Sequence, residues 1–218
     1  MEPEFWHERW SRDEIGFHQA RPAAALTRQW QDLNLKPGAR VFVPLCGKSL
    51  DMRWLREHGN TVVCVELSDL AVQAFCMENG IAARRRTLAD FDVYEAAGLE
   101  LYRGDFFALE PARLGEIHAV YDRAALISWT PQLRDRYAAH MTKLTPAGVD
   151  TLLVTLEYPQ SQKKGPPFSV ESAEVERLYG ATHAIHELSR EDILDSESRM
   201  RARGVTELHE VCYRLSRR

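Results

Sequence analysis

VFVPLCGKSLDM at residues 41–52, a polar-faced stretch ending at Gly59, and TVVCVE at residues 61–66 decide the fold. The apolar run Val41–Val43 enters a turn at Pro44–Gly47, a helical pattern follows, and a second apolar run ends in Glu66. This is a strand–turn–helix–strand unit, the parallel crossover that sets a turn beside the carboxyl ends of the strands. Glu66 comes nineteen residues after Gly47, close to the interval of about 20 at which an acidic side chain meets a ribose in nucleotide-binding sheets. The ligand this pattern calls for contains a nucleoside. The plain alternative is an ordinary crossover unit in which Glu66 merely ends a strand.

The turn narrows the ligand. A dinucleotide fingerprint needs three glycines, one of them giving the backbone room beside a pyrophosphate; here Gly47 stands alone between Cys46 and Lys48. Gly47-Lys48-Ser49 also invites a phosphate-loop reading, but that motif requires a glycine five positions earlier, where this chain has Phe42. An acidic ribose clamp without phosphate-cradling glycines suits a nucleoside lacking phosphates. S-adenosylmethionine is the commonest such cofactor.

Composition sets the outer limits. The chain's 218 residues suffice for one substantial α/β core and are short for two domains. A net charge of −4 argues against a general nucleic-acid binder, which carries a basic excess. The basic run Arg84–Arg86 is followed by Asp90 and Asp92 and reads as a solvated loop or helix end. Cys46, Cys64, Cys76 and Cys212 form no CxxC pair, and His183 and His186 lie in no zinc-ligand spacing, so no metal is expected. The opening MEPEFWHERW has neither signal-peptide nor transit-peptide character, and no apolar stretch approaches a membrane span. A cytoplasmic protein with reduced thiols and no membrane partner is the expectation.

Along the chain, residues 1–20 are aromatic and charged: Phe5, Trp6, Trp10, Phe17 and His18. These aromatics are either a core stripe or a lid folded over the strand ends. A helix is predicted over 23–33, the first strand at 41–43, a helix over 49–57 with Leu50, Trp54 and Leu55 inward, and a helix from Ser68 or Asp69 to Asn79. Further strands are expected at 99–102, 118–121 and 150–156, a helix from Pro131 to Leu144, a loop at 159–168 and a helix at 169–179. The last strands fall at 181–188 and 206–215, with helical turns over 191–203 between them. Alternating strands and helices imply a doubly wound, mostly parallel sheet whose last strand runs antiparallel. One domain over 1–218 is expected, with residues 1–20 as an N-terminal segment on an α/β core at 21–218.

Ligands of open α/β sheets bind outside the carboxyl ends of the strands, where strand order reverses. The residues emerging there are Leu45, Cys46 and Gly47; then Glu66; then Asp105 and Phe106; then Asp122 and Arg123; then Glu157 and Tyr158. Gly47 lets backbone approach a ligand, and Glu66 can accept from both ribose hydroxyls. Asp105 and Phe106 can flank an adenine edge and face, while Arg123 can pair with a carboxylate or an anionic substrate. Each has a simpler reading: Asp105 caps the next turn, and Asp122-Arg123 form a local ion pair.

Taken together, the motifs WHERW…FHQ (6–10 and 17–19), PLCGKSLDMRWL (44–55), VVCVELS (62–68), DRAAL (122–126) and GPPFSV (165–170) make the chain resemble the thiopurine S-methyltransferases, especially the compact bacterial form. The resemblance spans nearly the whole chain and implies a class I S-adenosylmethionine-dependent methyltransferase fold, Rossmann-like, with the N-terminal segment as a helical lid. It implies methyl transfer to the sulfur of aromatic and heteroaromatic thiols such as thiopurines, and associates the bacterial form with selenium or tellurium compounds. By the same motifs Trp10, Leu45, Glu66 and Arg123 contact the cofactor; Phe17, His18, Arg123 and Pro166 border the acceptor. A small-molecule O- or N-methyltransferase and a non-catalytic nucleoside-binding protein stay open beside it. A small-molecule partner, no nucleic acid and a monomeric state complete the expectation.

Overall fold

Val41 and Phe42 have no exposed surface, nor do Val62 to Val65, because both faces of a central parallel sheet are covered by helices. The computed structural model describes residues 3–218, and the chain divides into two compact units, one running to Tyr121 and the other from Asp122 to Arg218.

The first unit contains α1 (Pro3–Ser11), α2 (Ala24–Gln29), β1 (Arg40–Val43), α3 (Leu50–Glu57), β2 (Thr61–Glu66), α4 (Asp69–Glu78), β3 (Arg84–Leu88), β4 (Phe91–Ala96), β5 (Leu99–Arg103) and α5 (Pro111–Leu114). It closes within β6 (Ala119–Arg123). Its strand order is β3-β4-β5-β2-β1-β6. The centre is parallel: Val41 pairs with Val62 on one side and Ala119 on the other, and Cys64 with Leu101. The chain leaves β1 toward β2 and later returns to its other flank as β6. Strand order therefore reverses at β1, the place where such sheets bind ligands.

Two readings of this unit need correction. The Arg84–Arg86 run is neither loop nor helix end; it is β3, paired antiparallel with the unforeseen strand β4. Charge explains it: Arg85 bonds Asp92, Arg86 bonds Glu95, and an arginine-lined edge resists pairing with another sheet. Arg85, then Thr87 and Arg103, hold the Asp92 carboxyl down to about 2. The inward stripe of α3 is Asp51, Met52 and Leu55. Trp54 instead stacks on His58 with ring centroids 3.7 Å apart. Asp51 turns inward because its oxygens are satisfied by the Ala23 amide at 2.8 Å and the Tyr121 hydroxyl at 2.9 Å.

The second unit comprises the end of β6, α6 (Pro131–Leu144), β7 (Asp150–Glu157), α7 (Ser172–Tyr179), β8 (His183–Asp192), α8 (Ser198–Ala202) and β9 (His209–Arg217). Its strands run β7-β9-β8, all antiparallel, so the final strand runs as the sequence predicts. β8 extends past the predicted boundary, through Asp192 opposite His209, and the helical turns shrink to α8. The long ladder to β9 outweighs the weak helical pattern over 191–197.

Candidate functional site

In the first unit, β1 ends at Val43 and the chain turns through Pro44, Leu45, Cys46 and Gly47 before Ser49 caps α3 by accepting from the Asp51 amide. Leu45 and Gly47 both have left-handed backbone, φ 45° and 54°. That conformation is ordinary for glycine and strained for leucine. The turn is bound to the next strand by the Cys46 amide donating to Val65 O at 3.0 Å. It is bound to Glu66 by the Gly47 amide donating to Oε2 at 2.8 Å.

Glu66 is the centre of the arrangement. Its other oxygen, Oε1, accepts from the Ser68 amide at 2.8 Å, and its own carbonyl accepts from Gly104 N at 2.9 Å. The residue is 6% exposed. Burial pushes its carboxyl above the usual glutamate value, while the amides of Ser68, Gly47 and Leu67 pull the other way. A carboxylate offers about four acceptor positions, so oxygens held by amides keep capacity for the two hydroxyls of a ribose. These partners fix the carboxylate before any ligand arrives.

The aromatic segment meets this turn. A side chain at Gly47 would lie 3.4 Å from the Trp10 ring, so the indole rests against the glycine backbone. Phe17 stands edge-on to Trp10 at 5.7 Å and to Trp6 at 5.9 Å, and Trp6 stands edge-on to Phe5 at 5.2 Å. α1 has no fully buried residue. Its aromatics are only partly covered, as on an element that packs lightly over the core. The amide of His18 donates to Ile15 O at 2.8 Å, which closes the turn after this cluster.

Asp105 and Phe106 sit apart in kind. Asp105 is exposed and accepts from the Phe107 amide at 2.9 Å, the capping role that was its simpler reading. Phe106 is 2% exposed and packs edge-on to Phe107. The structure thus gathers Trp10, Phe17, Gly47 and Glu66, and places Asp105 and Phe106 at the end of β5. Sequence reasoning missed Asp51, which pins the start of α3 from below. An aspartate in the first turn of a helix ordinarily reads as a dipole partner, so nothing flagged it.

In the second unit, Arg123 ends β6 and is half-buried, and Ala124 after it has φ 63°. Its neighbour Asp122 is buried and accepts from the Tyr137 hydroxyl at 2.7 Å and the Leu126 amide at 3.3 Å. Burial raises the Asp122 carboxyl to about 6 against those bonds. Pro166 lies half-buried in the loop between β7 and α7, its carbonyl accepting from Lys163 Nζ at 2.7 Å.

A parallel sheet that reverses at β1, with an acidic residue fixed at the end of β2 and one glycine at the end of β1, has the class I S-adenosylmethionine-dependent methyltransferase fold. Solved methyltransferases of that class from Geobacter sulfurreducens and Thiobacillus denitrificans, both described as complexes with S-adenosylhomocysteine, superpose with TM-scores of 0.66 and 0.65. Each is 13% identical, and they cover 98% and 97% of this chain and 98% of their own. The family model described as thiopurine S-methyltransferase matches residues 1–218. Proteins named thiopurine S-methyltransferase are 46% identical in Nitrosospira multiformis, over 100% of this chain and 99% of that one, and 47% in Pseudomonas fluorescens, over 99% of each. The chain belongs to the thiopurine S-methyltransferase family.

Proposed function

We propose that this enzyme transfers the methyl group of S-adenosylmethionine to the sulfur of aromatic and heteroaromatic thiols, thiopurines among them. Family membership over the full length carries the reaction class. The observation that carries the cofactor is Glu66, buried, with one oxygen on the Gly47 amide and the other on the Ser68 amide.

The residues fit a nucleoside without phosphates. Gly47, lacking a side chain, lets the Trp10 ring lie against backbone beside the carboxylate; Glu66 would take the ribose hydroxyls, and Trp10 would border the cofactor together with Leu45 of the same turn. Asp105 and Phe106 are assigned to the adenine side, and Phe17 and His18 to the acceptor side. Arg123 and Pro166, in the second unit, take their proposed roles from the family resemblance alone: Arg123 toward the methionine carboxylate or the thiolate, Pro166 toward the acceptor.

When bound, the cofactor would supply an electrophilic methyl on a sulfonium: the acceptor thiolate would take the methyl carbon in line, its new carbon–sulfur bond forming as the methyl–sulfonium bond breaks and S-adenosylhomocysteine leaves. Aromatic thiols ionise readily, so the protein's task is to align the acceptor and exclude water rather than to supply a strong base. Residues 1–20 would act as the lid of a single methyltransferase domain; Trp10 against Gly47 and the lightly covered α1 support that. Selenium and tellurium nucleophiles, more polarisable than sulfur, are proposed as further acceptors. A cytoplasmic monomer acting on small molecules, without nucleic acid, completes the reading. No described helix is long and apolar enough to cross a membrane.

The test is calorimetric titration with S-adenosylmethionine and S-adenosylhomocysteine, followed by methyl transfer to 6-mercaptopurine in the same preparation. Binding with turnover supports the reading. Binding without turnover on any thiol would redirect it to oxygen or nitrogen acceptors, or to a nucleoside-binding protein that performs no catalysis.

A further inference from the structure

The loop between β7 and α7 contains a lysine that behaves unlike a surface residue. Lys163, in the sequence QSQKKGPPF (160–168), is only 9% exposed. Lysine is almost never buried unless its charge is matched by partners. Its ammonium donates to Pro166 O at 2.7 Å and Pro167 O at 3.2 Å. Prolines have no N–H, so their carbonyls are the only backbone handles by which this stretch can be held.

The other bonds of the loop converge on the same few residues. The Tyr158 hydroxyl also donates to Pro167 O, at 2.6 Å. Gln160 accepts from the Ser169 amide at 2.8 Å and donates to the Tyr158 hydroxyl at 3.2 Å and to the carbonyl of Lys163 itself. The Phe168 amide donates to Ile127 O at 2.7 Å, and the Phe168 ring lies so close to Gly165 that a side chain there would clash with it. On the outer side, Gln162 and Thr206 exchange two bonds of 2.9 Å. A loop that only joined a strand to a helix would have no need of a desolvated cation.

We propose that Lys163 is a positioning residue: by clamping the carbonyls of Pro166 and Pro167 it fixes the loop wall that faces the acceptor and so sets which thiols are accepted. This rests on the reading that Pro166 borders the acceptor. Lys163 itself touches no reacting atom; it acts through the two prolines.

The experiment compares the full-length wild type, K163M and K163R, with 6-mercaptopurine and the smaller thiophenol as acceptors. K163M is expected to raise the acceptor KM about tenfold or more while kcat and the S-adenosylmethionine Kd stay within about threefold. The preference between the bicyclic and the monocyclic thiol should shift as well. K163R, whose guanidinium can donate to both carbonyls, should recover most of the loss. Unchanged KM and preference in K163M overturn the role, and so does an equal weakening of cofactor and acceptor, the mark of general damage. If K163M does not fold, K163Q, neutral but still polar, is measured in its place; a rise in acceptor KM without a matching change in cofactor Kd supports the role and an unchanged KM overturns it. A wild type that binds the cofactor yet methylates no thiol overturns the acceptor reading and this proposal with it, which is distinct from a variant that matches an active wild type.

Discussion

Replacing Glu66 with alanine removes the carboxylate to which both the turn after β1 and the start of α4 are tied, through the Gly47 and Ser68 amides at 2.8 Å. The expected loss in cofactor affinity follows from the ribose hydrogen bonds proposed for Glu66, which would go to a charged acceptor and together be worth about 1–3 kcal/mol, or roughly 5- to 150-fold in Kd. Stability changes through two opposed effects. Each amide left without a partner costs about 1–3 kcal/mol, but a carboxylate that burial has raised above its ordinary value is itself a burden that the substitution lifts. The net loss, about 2–6 kcal/mol for the two amides less that offset, should stay below the total of about 5–15 kcal/mol, so the variant should fold with a lowered melting temperature. Acidity gives a second signature. The native state holds the Glu66 proton more tightly than the unfolded chain, so in the free protein this group's contribution to stability is complete at low pH and is lost as pH rises through the raised value. A ligand that needs the ionised form behaves oppositely, its affinity falling as pH falls, and earlier than an ordinary glutamate would dictate. Calorimetry of wild type and E66A from neutral to mildly acid pH, with thermal melting alongside, measures both effects. A folded E66A that binds S-adenosylmethionine within about twofold of wild type would refute the ribose role.

Three other outcomes are expected. Asp122, raised to about 6 by burial, should make the native state lose about 3 kcal/mol as pH rises from the ordinary carboxylate range to 6, so D122N should flatten that part of the stability–pH curve relative to wild type; parallel curves would count against it. Asp51→Ala should cost about 2–4 kcal/mol by removing the carboxylate that accepts from the Ala23 amide and the Tyr121 hydroxyl, read as a lower denaturant midpoint at unchanged slope. Removing residues 1–20 should leave the circular dichroism of the core intact, since α1 buries no residue fully, while turnover falls. Full activity of that truncated protein would end the lid reading.

The centre of the sheet was legible because its code is simple. Parallel strands covered on both faces read as unbroken apolar runs, and the interval from Gly47 to Glu66 is that of a crossover unit with an acidic residue at the end of its second strand. The β3–β4 edge was not legible, since RRRTL and FDVYEA carry no sustained alternation and owe their pairing to Arg85–Asp92 and Arg86–Glu95, partners that only folding brings together. β8 ran long for a related reason: residues 189–192 are strand because β9 offers them bonds, not because their side chains prefer it.

The candidate site divides along the same line. Gly47 and Glu66 were readable because each answers a local demand, one for left-handed backbone and the other for an acceptor at a strand end. Asp51 and Lys163 were not, because a buried charge is recognised only by its partners. Those of Asp51 lie 28 and 70 residues away. Those of Lys163 include carbonyls three and four residues on, in a segment whose prolines read simply as loop. Residues proposed to touch a ligand announce themselves by type and spacing, whereas buried charges such as these are surface-like letters that the fold has turned inward. Substitutions at Asp51 in the first unit and at Lys163 in the second, which no motif would have selected, therefore probe how far each unit fixes its own part of the proposed machinery in advance of a ligand.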